Sequence, residues 1–152
     1  MAVLTIERTF RASPERLFAY LTRTELLLKW WGPEGTTVAE HNLDLSRTGP
    51  WWFVLVDPRG GRHRVSGEVL EVDAPRSVKF TLVVEGPGGR AAIDSVVRFD
   101  VYPAADGGTR FVLTQSGLTT DQMAAASKMG WVSTLARLEQ SLVLAETEME
   151  EE

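Results

Sequence analysis

Few side chains in this chain are equipped for chemistry. Two histidines, His41 and His63, are present and cysteine is absent. A structural zinc site takes four Cys or His ligands and a catalytic one takes three at suitable spacing. Neither pattern occurs, so no metal ion or cofactor is expected, and thiol chemistry and disulfides are excluded. Ser66-Gly67 and Ser116-Gly117 lack the Gly-x-Ser-x-Gly context that exposes a nucleophilic serine. Gly86-Pro87-Gly88-Gly89 and Asp106-Gly107-Gly108 read as hairpin turns, because no Lys-Ser or Lys-Thr follows to complete a phosphate loop. Arg59, Arg62 and Arg64 gather near one turn, as in a solvated hairpin tip. What remains is His41 or His63 paired with an inward carboxylate in an apolar cavity, where burial would tune a proton donor. The residue pattern favours a chain without catalysis.

The elements that would hold these groups follow from periodicity. From Thr119 to about Met149, Met123, Ser127, Trp131, Leu135, Leu138, Leu142, Ala145 and Met149 recur at steps of three and four, which is one face of a helix. Thr120 and Asp121 suit its N-cap. Such a stripe must be buried against another element. Upstream, Val3–Ala12 alternates as a strand. Ser13-Pro14 opens a short helix carrying Leu17, Phe18 and Leu21, and a second runs from Thr24 through Leu27, Leu28, Trp30 and Trp31 to Gly32-Pro33. Six further strands are expected at Thr37–Leu45, Trp51–Val56, Arg62–Val72, Val78–Glu85, Ala91–Tyr102 and Arg110–Ser116. Short turns between them imply antiparallel neighbours.

Period-two arithmetic sorts the strands into an apolar and a wet face. Trp51, Phe53 and Leu55 share the inner side with Val65, Val69, Phe80, Phe99 and Leu113. Arg8, His41, His63, Ser95 and Gln115 have the same parity although they are polar. A polar group buried without a partner costs about 1–3 kcal/mol. Either these residues lie at strand ends or bind one another, or they orient a ligand in a cavity between sheet and helix. Trp52, Val54 and Val56 would leave an apolar patch on the outer face, which points to a homodimer.

Bulk properties set the frame. The chain has 152 residues, 43% hydrophobic and 24% charged, with a formal net charge of −5. One domain over 1–152 is expected, with residues 147–152 as a frayed acidic tail. An acidic balance argues against nucleic acid as a partner. No charged-then-apolar leader and no apolar run near ~18 residues occurs, so neither a signal peptide nor a membrane span is expected, and a cytoplasmic location follows.

The order of elements carries a resemblance over nearly the whole chain. It rests on Arg8-Thr9-Phe10-Arg11-Ala12-Ser13-Pro14, then Leu27 through Trp30-Trp31-Gly32-Pro33, then Leu43-Asp44-Leu45, Trp51-Trp52-Phe53 and Asp57-Pro58. It continues through Gly67-Glu68-Val69-Leu70-Glu71-Val72-Asp73, Gly108-Thr109-Arg110, Gln115-Ser116-Gly117-Leu118 and Gly130-Trp131. On these residues the chain resembles the heat-shock-protein-90 ATPase activator-like branch of the START-like (SRPBCC) superfamily. The resemblance implies the α+β helix-grip fold: a curved seven-stranded antiparallel sheet around the long C-terminal helix, two short helices between the first two strands, and a hydrophobic cavity. The namesake co-chaperones carry a further chaperone-binding domain for which 152 residues leave no room, so chaperone stimulation is not carried over.

The expected function is binding of a small hydrophobic ligand. Trp30, Trp31, Phe53, Phe80, Phe99, Met123, Trp131 and Leu135 are the expected apolar walls, with Arg8, His63 and Gln115 as polar orienters. Two alternatives stand beside it. One is a polyketide cyclase- or hydrolase-like enzyme acting on a hydrophobic substrate in the same cavity. The other is a stress-related, co-chaperone-like module for a protein partner.

Overall fold

The computed structural model describes residues 2–85 and 91–151. The turn expected at Gly86-Pro87-Gly88-Gly89 lies outside them, as do the side chains of the acidic end expected to fray at 147–152. The elements are β1 (Ala2–Phe10), α1 (Pro14–Thr22), α2 (Thr24–Leu27), β2 (Thr37–His41), β3 (Gly49–Val56), β4 (Arg62–Asp73), β5 (Ser77–Glu85), β6 (Ala91–Pro103), β7 (Thr109–Leu118) and α3 (Asp121–Glu151). Seven strands form one curved antiparallel sheet in the order β1-β7-β6-β5-β4-β3-β2. Consecutive hairpins account for every pairing except the first: β1 adds beside β7, with Leu4 opposite Gln115 and Phe10 opposite Thr109. The chain crosses from that edge to the other through α1 and α2. This is the helix-grip architecture.

Local chemistry explains the boundaries. Ser13 caps α1, its Oγ accepting the Arg16 N–H at 3.2 Å, and Pro14 takes a first-turn position where its missing N–H costs nothing. Thr120 caps α3, accepting the Met123 N–H at 3.0 Å. The face of α3 turned to the sheet buries Trp131, Thr134, Leu135, Leu138 and Leu142. Trp131, Leu135, Leu138 and Leu142, at steps of four, three and four, belong to the helical stripe read from sequence, and Thr134 is buried beside them.

Two expected elements are shorter than their patterns suggest. The Thr37–Leu45 alternation forms a strand only to His41. Leu43 and Leu45 are fully buried, but their backbones turn to the helices. The Leu45 N–H donates to the Thr22 carbonyl at 3.0 Å, and the Thr24 hydroxyl donates to the Leu43 carbonyl. Likewise α2 ends at Leu27, and Trp30 and Trp31 sit in the turn after it. There the Trp30 N–H reaches back three residues to Leu27, and its indole N–H donates to the Tyr20 carbonyl at 2.9 Å.

On the outer face, Trp52 is half-buried beneath the Arg64 guanidinium, 4.8 Å from its ring, and Val54 is only 8% exposed. The chain itself thus covers part of the patch from which a dimer was expected.

Curvature has a definable cause at Gly67. A Cβ built there would lie 1.9 Å from the Thr81 carbonyl oxygen and 2.8 Å from the Trp51 ring. The missing side chain lets β5 close onto β4 while the Trp51 indole covers the contact, as glycine permits in strongly bent strands. Gly67→Ala is expected to lower stability by at least about 2 kcal/mol, the scale of overpacking in a closed core. Urea unfolding measures it, and an unchanged midpoint would contradict this close approach.

Candidate ligand-binding site

The inner face of the sheet and α3 bring six aromatic rings into a closed circuit, Trp31–Phe53–Trp51–Phe80–Phe99–Trp131 and back to Trp31. Centroids stand 5.2 to 6.1 Å apart around it. Trp51 and Phe53 stack at 13° and the other contacts are edge-to-face. Each such pair contributes about 0.5–1.5 kcal/mol beyond area burial. Trp30 joins the circuit through Trp31, and Phe111 joins through Phe99.

Beside Trp31, Phe53 and Trp131 the packing opens into a cavity of about 190 Å³. Leu55, Val65, Leu82, Val84 and Ile93 supply its sheet side, Ser127, Gly130 and Thr134 its helix side, and Gly32 and Pro33 one end. Two features keep it open. A Cβ at Gly130 would meet nothing within 4 Å, so the helix leaves free space where another residue would project. Gly32 holds φ +93°, a conformation other residues rarely adopt, and so turns the chain directly after Trp31. Arg137 then fastens this turn to α3: its guanidinium donates to the carbonyls of Trp31, Gly32 and Pro33 at 3.3, 2.8 and 3.3 Å. The Glu34 N–H adds a bond to the Ser133 hydroxyl at 3.0 Å.

One polar chain crosses the apolar wall. The Trp131 indole N–H donates to Gln115 Oε1 at 3.0 Å, Gln115 Nε2 donates to Ser95 Oγ at 2.9 Å, and the Ser95 hydroxyl donates to the Leu82 carbonyl at 3.0 Å. An indole can only donate, so Trp131 fixes which way the Gln115 amide points, and the rest of the chain follows. Among the described residues, Trp51 Nε1 is the one buried side-chain nitrogen or oxygen without a partner.

The residues expected at the site therefore separate. Trp31, Phe53, Trp131 and Gln115 line the cavity. Phe80 and Phe99 are fully buried in the aromatic circuit behind it, and Trp30 and Leu135 are packed in the core without lining it. Met123 lies in the first turn of α3, its sulfur accepting from the Thr119 hydroxyl. Arg8 belongs to edge strand β1, far across the sheet order from β3–β5, and its guanidinium donates to the neighbouring Glu7 carbonyl at 2.7 Å. His63 sits near the β3–β4 turn with its side chain 49% exposed. Its Nε2 lies 2.8 Å from Asp57 Oδ2, and this hydrogen bond, helped by the Gly61 N–H, holds the Asp57 carboxyl below its ordinary range. His41 is exposed, its Nδ1 accepting the Leu43 N–H at 3.2 Å. Parity alone places His63 and Arg8 inward; α3 approaches β1 and β7 most closely, yet Arg8 bonds the backbone beside it and His63 bonds Asp57 at the β3–β4 turn. Arg137 reads from the sequence as one of the polar residues opposite the apolar stripe, whereas the structure turns its guanidinium to the Trp31–Pro33 carbonyls.

Among the described residues no group of three or more His, Cys, Asp or Glu could hold a metal ion, and no helix is long and apolar enough to cross a membrane.

Comparison with known proteins gives this geometry a lineage. The model of the family described as activator of Hsp90 ATPase homolog 1-like protein matches residues 11–143. No curated protein matches the chain. The crystal structure of the AHSA1 protein from Silicibacter pomeroyi is similar at 40% identity and TM-score 0.88, covering 95% of this chain and 99% of that one. A protein of Nitrosomonas europaea is similar at 26% identity and TM-score 0.77, covering 95% and 96%. One from Chromobacterium violaceum shares the fold at 20% identity and TM-score 0.77, covering 92% and 96%. A family model that spans most of the chain, on a helix-grip fold shared with these structures, places the protein in the activator of Hsp90 ATPase homolog 1-like family of the START-like (SRPBCC) superfamily.

Proposed function

We propose that this protein binds a small hydrophobic molecule in the cavity between β3–β7 and α3 and leaves it chemically unchanged. The observation that carries the reading is an apolar hollow of about 190 Å³ at the edge of a core that is otherwise closed by interlocking aromatic rings. A cavity lined by Trp, Phe, Leu, Val and Ile loses contacts when nothing fills it. An apolar guest restores them and is removed from water at about 25 cal/mol per Å² of buried apolar surface.

The polar lining supports binding over catalysis. The side-chain polar groups among the described lining residues are Gln115, Ser127, Thr134 and the indoles of Trp31 and Trp131. None of them titrates near neutral pH. Thr134 already donates to the Gly130 carbonyl at 2.7 Å. Neither histidine lines the cavity: His63 is held in a surface turn by Asp57, and His41 is exposed, bonded to the Leu43 N–H. A cyclase or hydrolase step in this cavity would find no general base among these side chains.

Toluene is expected to quench tryptophan fluorescence through Trp31 and Trp131 and to raise the melting temperature as its concentration rises. Gly130→Leu should abolish both responses by filling the cavity, while the ligand-free variant stays folded and melts no lower, because glycine in a helix interior costs about 1 kcal/mol against good helix formers. An unresponsive wild-type protein, or a variant that responds equally, would contradict the proposal. Arg137→Gln removes charge-assisted bonds to the Trp31–Pro33 turn and is expected to cost about 1.5–3 kcal/mol of stability. Urea unfolding checks it, a loss below about 0.5 kcal/mol counting against the clamp.

A further inference from the structure

The cavity's size and its unspent hydrogen-bonding capacity narrow the class of guest. We infer that the ligand is a compact, uncharged molecule of about one ring with a single hydrogen-bond acceptor, and that the second N–H of Gln115 receives this acceptor. The inference rests on the ligand-binding reading above and specifies it.

Size comes first. An apolar cavity of about 150 Å³ takes benzene, whereas sites for drug-sized ligands run to about 300–1,000 Å³. At about 190 Å³ and open to solvent on one side, this one has walls for a substituted single ring or an equally compact branched molecule, and a long acyl chain would leave most of its length outside. Charge comes next. No Asp, Glu, Lys, Arg or His is among the described lining residues, and a charge buried without a partner is expensive. A ligand that carried one would have to keep it outside.

The polar specificity follows from counting. A glutamine amide has two N–H donors and an oxygen with two lone pairs. Because the donor-only Trp131 indole claims the oxygen, the nitrogen must face Ser95, where one of its hydrogens is spent. The other has no acceptor among the described residues, although Gln115 is only 1% exposed and lines the cavity. The oxygen also keeps a lone pair, but carbonyls with one unused lone pair are commonplace in protein interiors, whereas orphaned N–H groups are rare. The unmet demand is therefore for an acceptor, such as a ketone, aldehyde, ester or ether oxygen on the guest. Ser127 does not compete for this role: it is half-buried at the rim, within reach of water.

The test uses acetophenone, its planar isostere α-methylstyrene, and palmitate, with binding to the full chain read by tryptophan fluorescence. Gln115→Met keeps side-chain length and removes the amide. It is expected to weaken acetophenone binding about tenfold more than it weakens α-methylstyrene binding, the scale of one buried hydrogen bond. A second readout needs no variant: the infrared carbonyl stretch of acetophenone bound to the wild-type protein should lie below its value in hexane. Should Gln115→Met fail to fold, that stretch decides. Equal losses for the two isosteres, or a hexane-like stretch, would overturn the role of Gln115, and palmitate binding more tightly than either ring would overturn the size limit. Both results leave ligand binding itself standing. Silence from all three probes would remove that reading together with this one.

Discussion

Trp131 must satisfy two demands from one position on α3. Its rings have to be buried, and its N–H, once buried, has to find an acceptor. The first demand is met by Trp31 and Phe99, at 6.1 and 5.9 Å on either side. Gln115 on β7 meets the second, at 3.0 Å. The two contacts pin the middle of the long helix to the sheet at one depth and one rotation. Everything about the cavity depends on that seating. One turn along, Leu135 is buried against the core, whereas Thr134, Gly130 and Ser127 look onto the gap. If the helix settled deeper, the gap would close; if it rotated, Gln115 would lose the partner that orients its amide.

The sheet makes the complementary half of this arrangement. Gly67 lets β5 approach β4 so closely that no side chain could intervene, and Trp51, stacked on Phe53, covers the place. The resulting curve is what allows strands from β3 to β6 to face a single helix. At one end of the hollow the Trp31–Pro33 turn acts as a wall, and Arg137 holds it through backbone carbonyls instead of a carboxylate. That choice keeps a charged pair out of the lining. Ion pairs do occur, but on the exposed faces, as in Glu7–Arg110 and Arg64–Glu85.

Much of the fold is legible in the sequence because its periodicities are long and agree with one another. The stripe through Trp131, Leu135, Leu138 and Leu142 is buried as spaced, and the alternation in β5 and β7 gives the faces correctly. Where reading by parity fails, tertiary bonding has replaced the ladder that parity assumes. Leu43 and Leu45 alternate like strand residues, yet their backbones serve the ends of α1 and α2. His63 has inward parity, but the turn carboxylate of Asp57 holds it outside the helix's cover. The cavity was harder to see than the core. Tryptophans and phenylalanines that line it have the same residue types as those packed solidly behind it, so composition separates Phe53 from Phe80 no better than chance. Gly130 is the more telling residue, since a glycine in the middle of a helix, beside the buried stripe, requires a reason.

These observations converge on an apolar cavity with one polar demand, walled on one side by Trp31, Phe53 and Trp131. A crystal structure of the protein grown with acetophenone examines that claim most directly. The account predicts the ring lodged beside Trp31 and Trp131, with its carbonyl oxygen about 2.9 Å from Gln115 Nε2, an ordinary hydrogen-bond length. A cavity filled by protein side chains, or a ligand found only on the outer surface, would contradict it.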